Sequence, residues 1–509
     1  MTGSLLQSGR RLHDVLDAWA TERGATEAAI CGDRRLTYAE LRVAVNDTAS
    51  ALIAADVMPG DRVATLAPPG IDFLVTFLAA ASVGAIWVGL NPRYTDPELD
   101  AVVEQIAPRV IFSRRRIGNR AYDGWLAGLP GEIRIIGLDG DHAAFVEPSA
   151  GMRSTRLRRR RSEVRADDIC LIVFTSGSTG SPKGVMISHA SLVGASEVQF
   201  GVWPAEPLRI LNNLPINHIG CVGDLTCYAL VAGGTIVFAE RFDPQDTLRL
   251  IRSEAITVWG QVPTQFQLVL DSPTFDAGAL GSLQRIFWGG ALASEGLVER
   301  LLCLCAQVAT SYGQTETVGS IAFTASDAGR DELVATVGRP VPPYSLRIVE
   351  AEGADSPAGN PGEVIVKTPF GMSGYWGEGL GAAPEWHRTG DVGSLDHEGR
   401  LRLVGRVHDI FKSGGYNINP AEIEAALEAH PRIREASVVG VPDERYGTVA
   451  VAFLVPVETA FDTSELSAFL VGRIANYKHP KRYHQVEELP RLPVGKIDKA
   501  ALRARAARA

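Results

Sequence analysis

A buried-type strand that runs straight into a loop of glycines and hydroxyls constrains this chain more than any other feature. Asp168-Ile169-Cys170-Leu171-Ile172-Val173-Phe174 is an apolar, β-branched run, the pattern of a strand covered on both faces. It opens directly into Thr175-Ser176-Gly177-Ser178-Thr179-Gly180-Ser181-Pro182-Lys183-Gly184. Gly177, Gly180 and Gly184 permit backbone conformations that turn N–H groups towards one point, which makes an anion nest. Thr175, Ser176, Ser178 and Thr179 add hydroxyl donors, and Lys183 adds a point charge suited to phosphate. A Walker A loop needs G-x-x-x-x-G-K-[ST]. Here Pro182 precedes Lys183 and Gly184 follows it, so this phosphate loop is of another kind. A Gly/Ser linker would have neither the strand before it nor the lysine within it.

A chain of 509 residues holds more than one folding unit. Residues 61–92 read as strand, helix and strand; residues 210–238 and 246–259 repeat the logic. Such alternation predicts α/β architecture with parallel sheets. Beyond about residue 338 the pattern changes to short strands at 345–349, 362–366, 392–395 and 401–404, the last two joined through Asp396-His397-Glu398-Gly399. After Gly405-Arg406 a helix over 420–429 and a strand over 436–441 begin another unit. The expected fold is a large N-terminal domain, residues 1–407, of parallel-sheet βαβ subdomains plus a β-rich subdomain. A small, mobile α+β C-terminal domain, residues 408–509, follows.

Composition narrows the class. With 46% hydrophobic and 21% charged residues the chain reads as a soluble enzyme with large cores. A net charge of -9 argues against nucleic acid as a partner. The six cysteines form no paired CxxC knuckles and read as small buried hydrophobes in a reducing compartment. The N-terminus has no signal-peptide core, and apolar stretches break before membrane-spanning length. A cytoplasmic protein without a membrane partner is expected. The arginine-rich segment 152–165 reads as a solvated, mobile loop, with an anion-binding or partner patch as the alternative.

Further motifs follow the loop in order: Leu214-Pro215-Ile216-Asn217-His218, Trp288-Gly289-Gly290-Ala291, Tyr312-Gly313-Gln314-Thr315-Glu316, Arg388-Thr389-Gly390-Asp391, Gly405-Arg406, Lys412-Ser413-Gly414-Gly415-Tyr416 and Pro493-Val494-Gly495-Lys496. Together with TSGSTGSPKG they resemble the adenylate-forming enzymes, the superfamily of acyl-CoA synthetases, peptide-synthetase adenylation domains and beetle luciferases. The chain looks like a stand-alone, acyl-CoA synthetase-like member. The resemblance extends roughly from Leu36 to Lys496.

The resemblance implies an AMP-forming ligase that joins a carboxylic acid to ATP, giving acyl-AMP and pyrophosphate. Thr175, Ser176, Gly177, Ser178, Thr179, Gly180 and Lys183 then hold phosphates. Gly289, Gly290 and Ala291 bind adenine beside Tyr312, Gly313 and Gln314. Thr315 contacts phosphate, Glu316 holds Mg²⁺, and Asp391 and Arg406 hold the ribose. His218 gates the reacting carboxylate, and Lys496 stabilises the charge that develops during adenylation. His408 stands at the family's hinge position, and Lys412 opens the acceptor-facing loop. Trp288 and Leu292 replace a small polar residue and a proline in the family pattern. By resemblance the acid is lined by residues near 217–224, 259–263, 287–289 and 312–318. Cys221, Val222, Trp259, Phe287 and Trp288 there suit a cyclic, aromatic or medium-length acyl group.

CoA is the first-choice acceptor. An amine, as in an amide synthetase, or a separate carrier protein fits the same motifs, and a homodimer is left open. An inactive nucleotide-binding homologue would lose Lys183, Glu316, Asp391 or Lys496, and all four are present.

Overall fold

The apolar run after Asp168 is the strand Ile169–Thr175, inside a seven-stranded sheet. The computed structural model describes residues 10–146, 155–175, 182–305, 307–350, 353–378, 384–407, 409–413, 416–443, 446–457, 462–471, 473–492 and 497–508. They divide into two units, Met1–Tyr344 with Lys367–Glu385, and Ser345–Val366 with Trp386–Ala509.

In the first unit the seven strands are ordered Gly374–Tyr375, Lys183–Ser188, Ile169–Thr175, Ile86–Leu90, Arg62–Leu66, Val110–Ser113 and Arg134–Gly137. Pairing is parallel from Ile169–Thr175 onward and antiparallel at Lys183–Ser188 and Gly374–Tyr375. A nine-stranded sheet has Val308–Gln314, Arg285–Trp288, Val258–Gln261, Arg209–Asn212, Thr235–Phe238 and Glu27–Cys31 parallel at its centre. The strand–helix–strand unit expected over 61–92 is Arg62–Leu66, Ile71–Ser82 and Ile86–Leu90. Every residue of Ile71–Ser82 except Asp72 is buried, as befits a helix that is apolar all round. Its Phe73 meets Trp87 of one sheet at 5.3 Å between ring centroids and Phe238 of the other at 6.1 Å. This helix therefore lies between the two sheets and joins their cores.

Two local expectations change. The arginine-rich segment contains a helix, Thr155–Glu163, where a solvated loop was expected. Leu157 is buried, Arg160 donates to the Val57 carbonyl at 3.0 Å, and Arg161 pairs with Asp17 at 3.2 Å. These contacts offset the like-charge repulsion along the helix. Four cysteines are buried as expected, but Cys303 is exposed and Cys31 half-buried. Among the described residues no helix is long and apolar enough to cross a membrane.

His13 and His189 face each other edge-on beneath that helix, with ring centroids 6.2 Å apart. Burial, with Arg161 adding, pushes His13 well below the ordinary imidazole value; burial pushes His189 down to about 4. Both are neutral at pH 7, folded or unfolded. Below the unfolded value of 6.5 the unfolded chain takes up protons that the folded chain resists. Stability present above that value is thus lost as pH falls, by about 1.4 kcal/mol per pH unit for each imidazole. Urea midpoints should drop between about pH 6.5 and 4.5. His13→Leu should make the drop shallower, and an unchanged slope would remove this assignment.

In the second unit Ser345–Val349, Gly362–Lys367, His387–Leu395 and Leu401–Arg406 form an antiparallel sheet. The helix Pro420–Glu428 and the strands Ile433–Asp443, Gly447–Pro456 and Arg482–Gln485 follow. Successive residues face opposite ways: Val438 packs with Ile423 and Leu454, and Val439 packs with Phe453 and Leu502. Residues 493–496 lie outside the described residues, but their flanks are fixed. Arg491 bridges to Ile497 and pairs with Glu435 at 2.7 Å. Lys499 pairs with Glu424 at 3.1 Å, and Arg503 with Asp409 at 2.9 Å.

Candidate active site

The two residues that flank the glycine- and hydroxyl-rich loop are held in register. Thr175 ends one strand, Lys183 begins the next, and they pair directly. The Thr175 hydroxyl donates to the Lys183 carbonyl at 3.5 Å. Ser176, Gly177, Ser178, Thr179 and Gly180 lie outside the described residues.

Lys183 Nζ lies 3.4 Å from a Glu378 carboxylate oxygen and 4.9 Å from the centre of the Tyr375 ring. Tyr375 comes from Gly374–Tyr375, which pairs with Lys183–Ser188. Its hydroxyl donates to Glu316 Oε1 at 3.2 Å. Burial and then the Glu316 charge push the phenol well above its ordinary value, which keeps the donor protonated. One tyrosine therefore touches both Lys183 and Glu316. Tyr375 and Glu378 escaped the sequence reading because Gly374-Tyr375 carries no motif of its own; only the strand pairing brings it there.

Glu316 stands in the turn between Val308–Gln314 and Gly319–Phe323. Gln314 N–H donates to Thr317 Oγ1 at 2.8 Å, and that hydroxyl donates to the Gly319 carbonyl at 2.8 Å. The Glu316 carbonyl accepts from Met372 N–H at 2.9 Å. Thr315 and Tyr312 are buried beside it. Gly313 has no room for a side chain, since a Cβ would overlap the Gly319 carbonyl.

Gly289, Gly290 and Ala291 follow Arg285–Trp288, at the same strand ends as Ser311 and Tyr312. Gly290 has φ +81°, and a Cβ on Gly289 would touch Ser311 Oγ at 3.4 Å. Ligands of open α/β sheets sit at such carboxyl ends. Trp288 and Trp259 do not line a pocket as expected. Both are at most 1% exposed and belong to the core cluster around Phe266 and Ile251. Strand alternation explains it: Trp288 faces the opposite side from Phe287, which packs on Trp203 at 5.2 Å. Cys221 and Val222 are also fully enclosed.

His218 is half-buried and its Nδ1 accepts from Gly220 N–H at 3.1 Å. Beyond it the segment Gly220–Cys227 is a π-helix, a widened form frequent at functional sites. The buried Asn212 amide donates to the Cys221 carbonyl at 3.1 Å and to Thr226 Oγ1 at 2.9 Å, tying this helix to its strand. Asp224 is the carboxylate on it. Burial pushes Asp224 up to about 7, with only Ser320 lowering it.

In the second unit Asp391 and Arg406 stand opposite each other across paired strands, with Arg406 Nε 2.9 Å from Asp391 Oδ1. Asp391 is buried and Arg406 exposed. Lys412 lies on Phe411–Ser413, paired with Tyr416–Ile418. His408 and Lys496 lie outside the described residues.

A glycine- and hydroxyl-rich loop after a parallel strand, with Lys183 and Glu316 joined through Tyr375, is the arrangement expected of a nucleotide-using enzyme. The chain belongs to the AMP-binding enzyme family, whose pattern matches residues 16–376, with the AMP-binding enzyme C-terminal domain over 422–496. An indoleacetate–CoA ligase of Aromatoleum aromaticum is 35% identical over 484 residues, covering 94% of each chain. The structure of ATP-bound MatB from Rhodopseudomonas palustris matches with TM-score 0.87 at 26% identity, covering 97% of this chain and 99% of that one. The amide bond synthetase McbA from Marinactinospora thermotolerans matches with TM-score 0.86 at 29% identity, covering 97% and 99%.

Proposed function

We propose that this chain is an ATP-dependent ligase that activates an aryl-bearing carboxylic acid as its acyl-AMP and passes the acyl group to the thiol of CoA. The observation that carries the reading is the Lys183–Tyr375–Glu316 constellation, in a chain similar almost end to end to a CoA ligase for an aromatic acid.

The loop 175–183 cradles the ATP phosphates. Gly289, Gly290, Ala291 and Tyr312 receive the adenine, and Asp391 and Arg406 the ribose. A lone carboxylate in a tight turn fits Mg²⁺, which takes one or two carboxylates and completes its shell with phosphate oxygens and water. Glu316 would hold that ion, which would supply charge to offset that on the departing pyrophosphate. The substrate carboxylate, placed beside His218, attacks the α-phosphorus in line with the leaving group. Lys496 neutralises the two approaching anions. The segment 408–509 then turns about His408 and presents Lys412 and its loop. The CoA thiol loses its proton, attacks the acyl carbon and expels AMP. Use of ATP and CoA supports a cytoplasmic location.

Tyr375→Phe should raise the Mg²⁺ concentration needed for half-maximal pyrophosphate exchange and weaken binding of MgATP, both by roughly three- to tenfold. Its melting temperature should stay close to that of the parent. An unchanged Mg²⁺ dependence would separate Tyr375 from the metal site.

The likeness to McbA supports a second reading, in which an amine captures the acyl-AMP. Mass spectrometry of products from a panel of aryl acids, offered with ATP and either CoA or amines, decides between them. Thioesters are expected. Amides alone would overturn the acceptor, and no acid-dependent pyrophosphate exchange with any acid would overturn the ligase reading.

A further inference from the structure

In the proposed function the acyl group lies beside the π-helix Gly220–Cys227, and most of the side chains expected to line it are closed off. Cys221, Val222, Trp259 and Trp288 expose at most 1% of their surface. Asp224 remains partly accessible. Its peptide carbonyl accepts from Gln199 Nε2 at 3.1 Å, which fixes the backbone there. Its side chain packs against Gly319, where a Cβ would stand 2.6 Å from Oδ1, so only glycine leaves room for the carboxyl.

The hydrogen bonds of this carboxyl are long. Oδ1 accepts from Ser320 N–H at 3.3 Å and from Ser320 Oγ at 3.4 Å. That Ser320 hydroxyl is also shared, at 2.8 Å, with Ser311 Oγ. Tyr344 supplies an independent observation. It is 5% exposed, its hydroxyl has no hydrogen-bond partner among the described residues, and after burial the Asp224 charge is what pushes its phenol up. The Asp224 carboxyl thus makes only long hydrogen bonds, and the buried Tyr344 phenol, which feels its charge, makes none among the described residues. Leaving such groups unpaired is costly. A ligand N–H or O–H supplies the missing donor to the carboxyl.

We propose that Asp224 is a specificity-determining residue that binds a hydrogen-bond donor, an N–H or O–H group, carried on the ring of the acyl substrate. The inference rests on the ligase reading for the location of the acid. In that reading the reacting carboxylate lies beside His218, and Asp224 stands six residues further on, within the π-helix that follows. The donor therefore belongs to the body of the acid. The substrate class becomes aromatic acids with a ring N–H or a phenolic hydroxyl, in place of simple aryl or alkyl acids.

Two matched pairs test this: indole-3-acetic acid against benzofuran-3-acetic acid, and 4-hydroxyphenylacetic acid against 4-fluorophenylacetic acid. Each pair keeps its shape and loses the donor. Binding is measured by calorimetry on the full chain, separately from pyrophosphate exchange. In at least one pair the donor acid should bind about tenfold or more tightly. Asp224→Leu should bring that ratio to unity or below while ATP binding is unchanged. If the leucine variant does not fold, the near-isosteric Asp224→Asn should still cut the ratio at least threefold. Equal binding within both pairs, no binding of any of the four acids, or a ratio that survives substitution would overturn the proposal. A donor preference in binding without acid-dependent exchange would instead overturn the ligase reading alone.

Discussion

Lys496→Ala is expected to slow acyl-AMP formation by roughly a hundred- to a thousandfold or more, while supplied acyl-AMP is still converted to thioester at near the parent rate. The reason is electrostatic. A carboxylate approaching a polyphosphate brings anion to anion, and the charge on the reacting oxygens peaks in the transition state. Removing one cation or donor aimed at such charge costs about 2.7–4 kcal/mol in other active sites. The second half-reaction begins from a mixed anhydride with pyrophosphate already gone, so it has no such need. The two rates are measured separately, by pyrophosphate exchange and by release of AMP from synthetic acyl-AMP. Equal losses in both would show that Lys496 holds the fold of its domain. The flanking contacts favour separable effects: Arg491 with Glu435, Lys499 with Glu424 and Arg503 with Asp409 are all independent of the Lys496 side chain.

Gly313→Ala should be as damaging for a different reason. The atoms a Cβ would overlap belong to the backbone of the partner strand, Gly319 and Ser320. No side chain can swing away, so the strands must part. That movement breaks the pairing of Gln314 with Gly319 and displaces the turn that carries Thr315 and Glu316. About 3 kcal/mol or more of stability should be lost, with exchange reduced at least a hundredfold. Gly289→Ala is the control, because its Cβ reaches Ser311 Oγ at an ordinary 3.4 Å. Its urea midpoint should remain near that of the parent. A Gly313→Ala protein that melts like the parent would mean the strands are not so closely joined.

Much of this molecule was legible in one dimension. The strand at 169–175, the βαβ unit over 62–90 and the antiparallel pairing that sets Asp391 opposite Arg406 follow from local periodicity and turn residues. The arginine-rich segment misled because charge alone says nothing about an anchor; Leu157 and the Val57 carbonyl decide it. Trp259 and Trp288 misled because a strand residue, even one inside a motif, faces whichever side the sheet buries.

The order and chemistry of the motifs, from the loop at Thr175 to Lys496, were determined by the sequence alone. A loop of glycines and hydroxyls, a turn carboxylate and a late lysine are properties of residue type and local conformation. Tertiary structure alone decided that Tyr375, 59 residues beyond Glu316, bonds to it and stacks under Lys183. It likewise decided that Asp224 meets Ser320 at the edge of a neighbouring strand. Hydrogen bonds and desolvation act over a few ångströms of space, and strand pairing brings distant stretches of chain within that range.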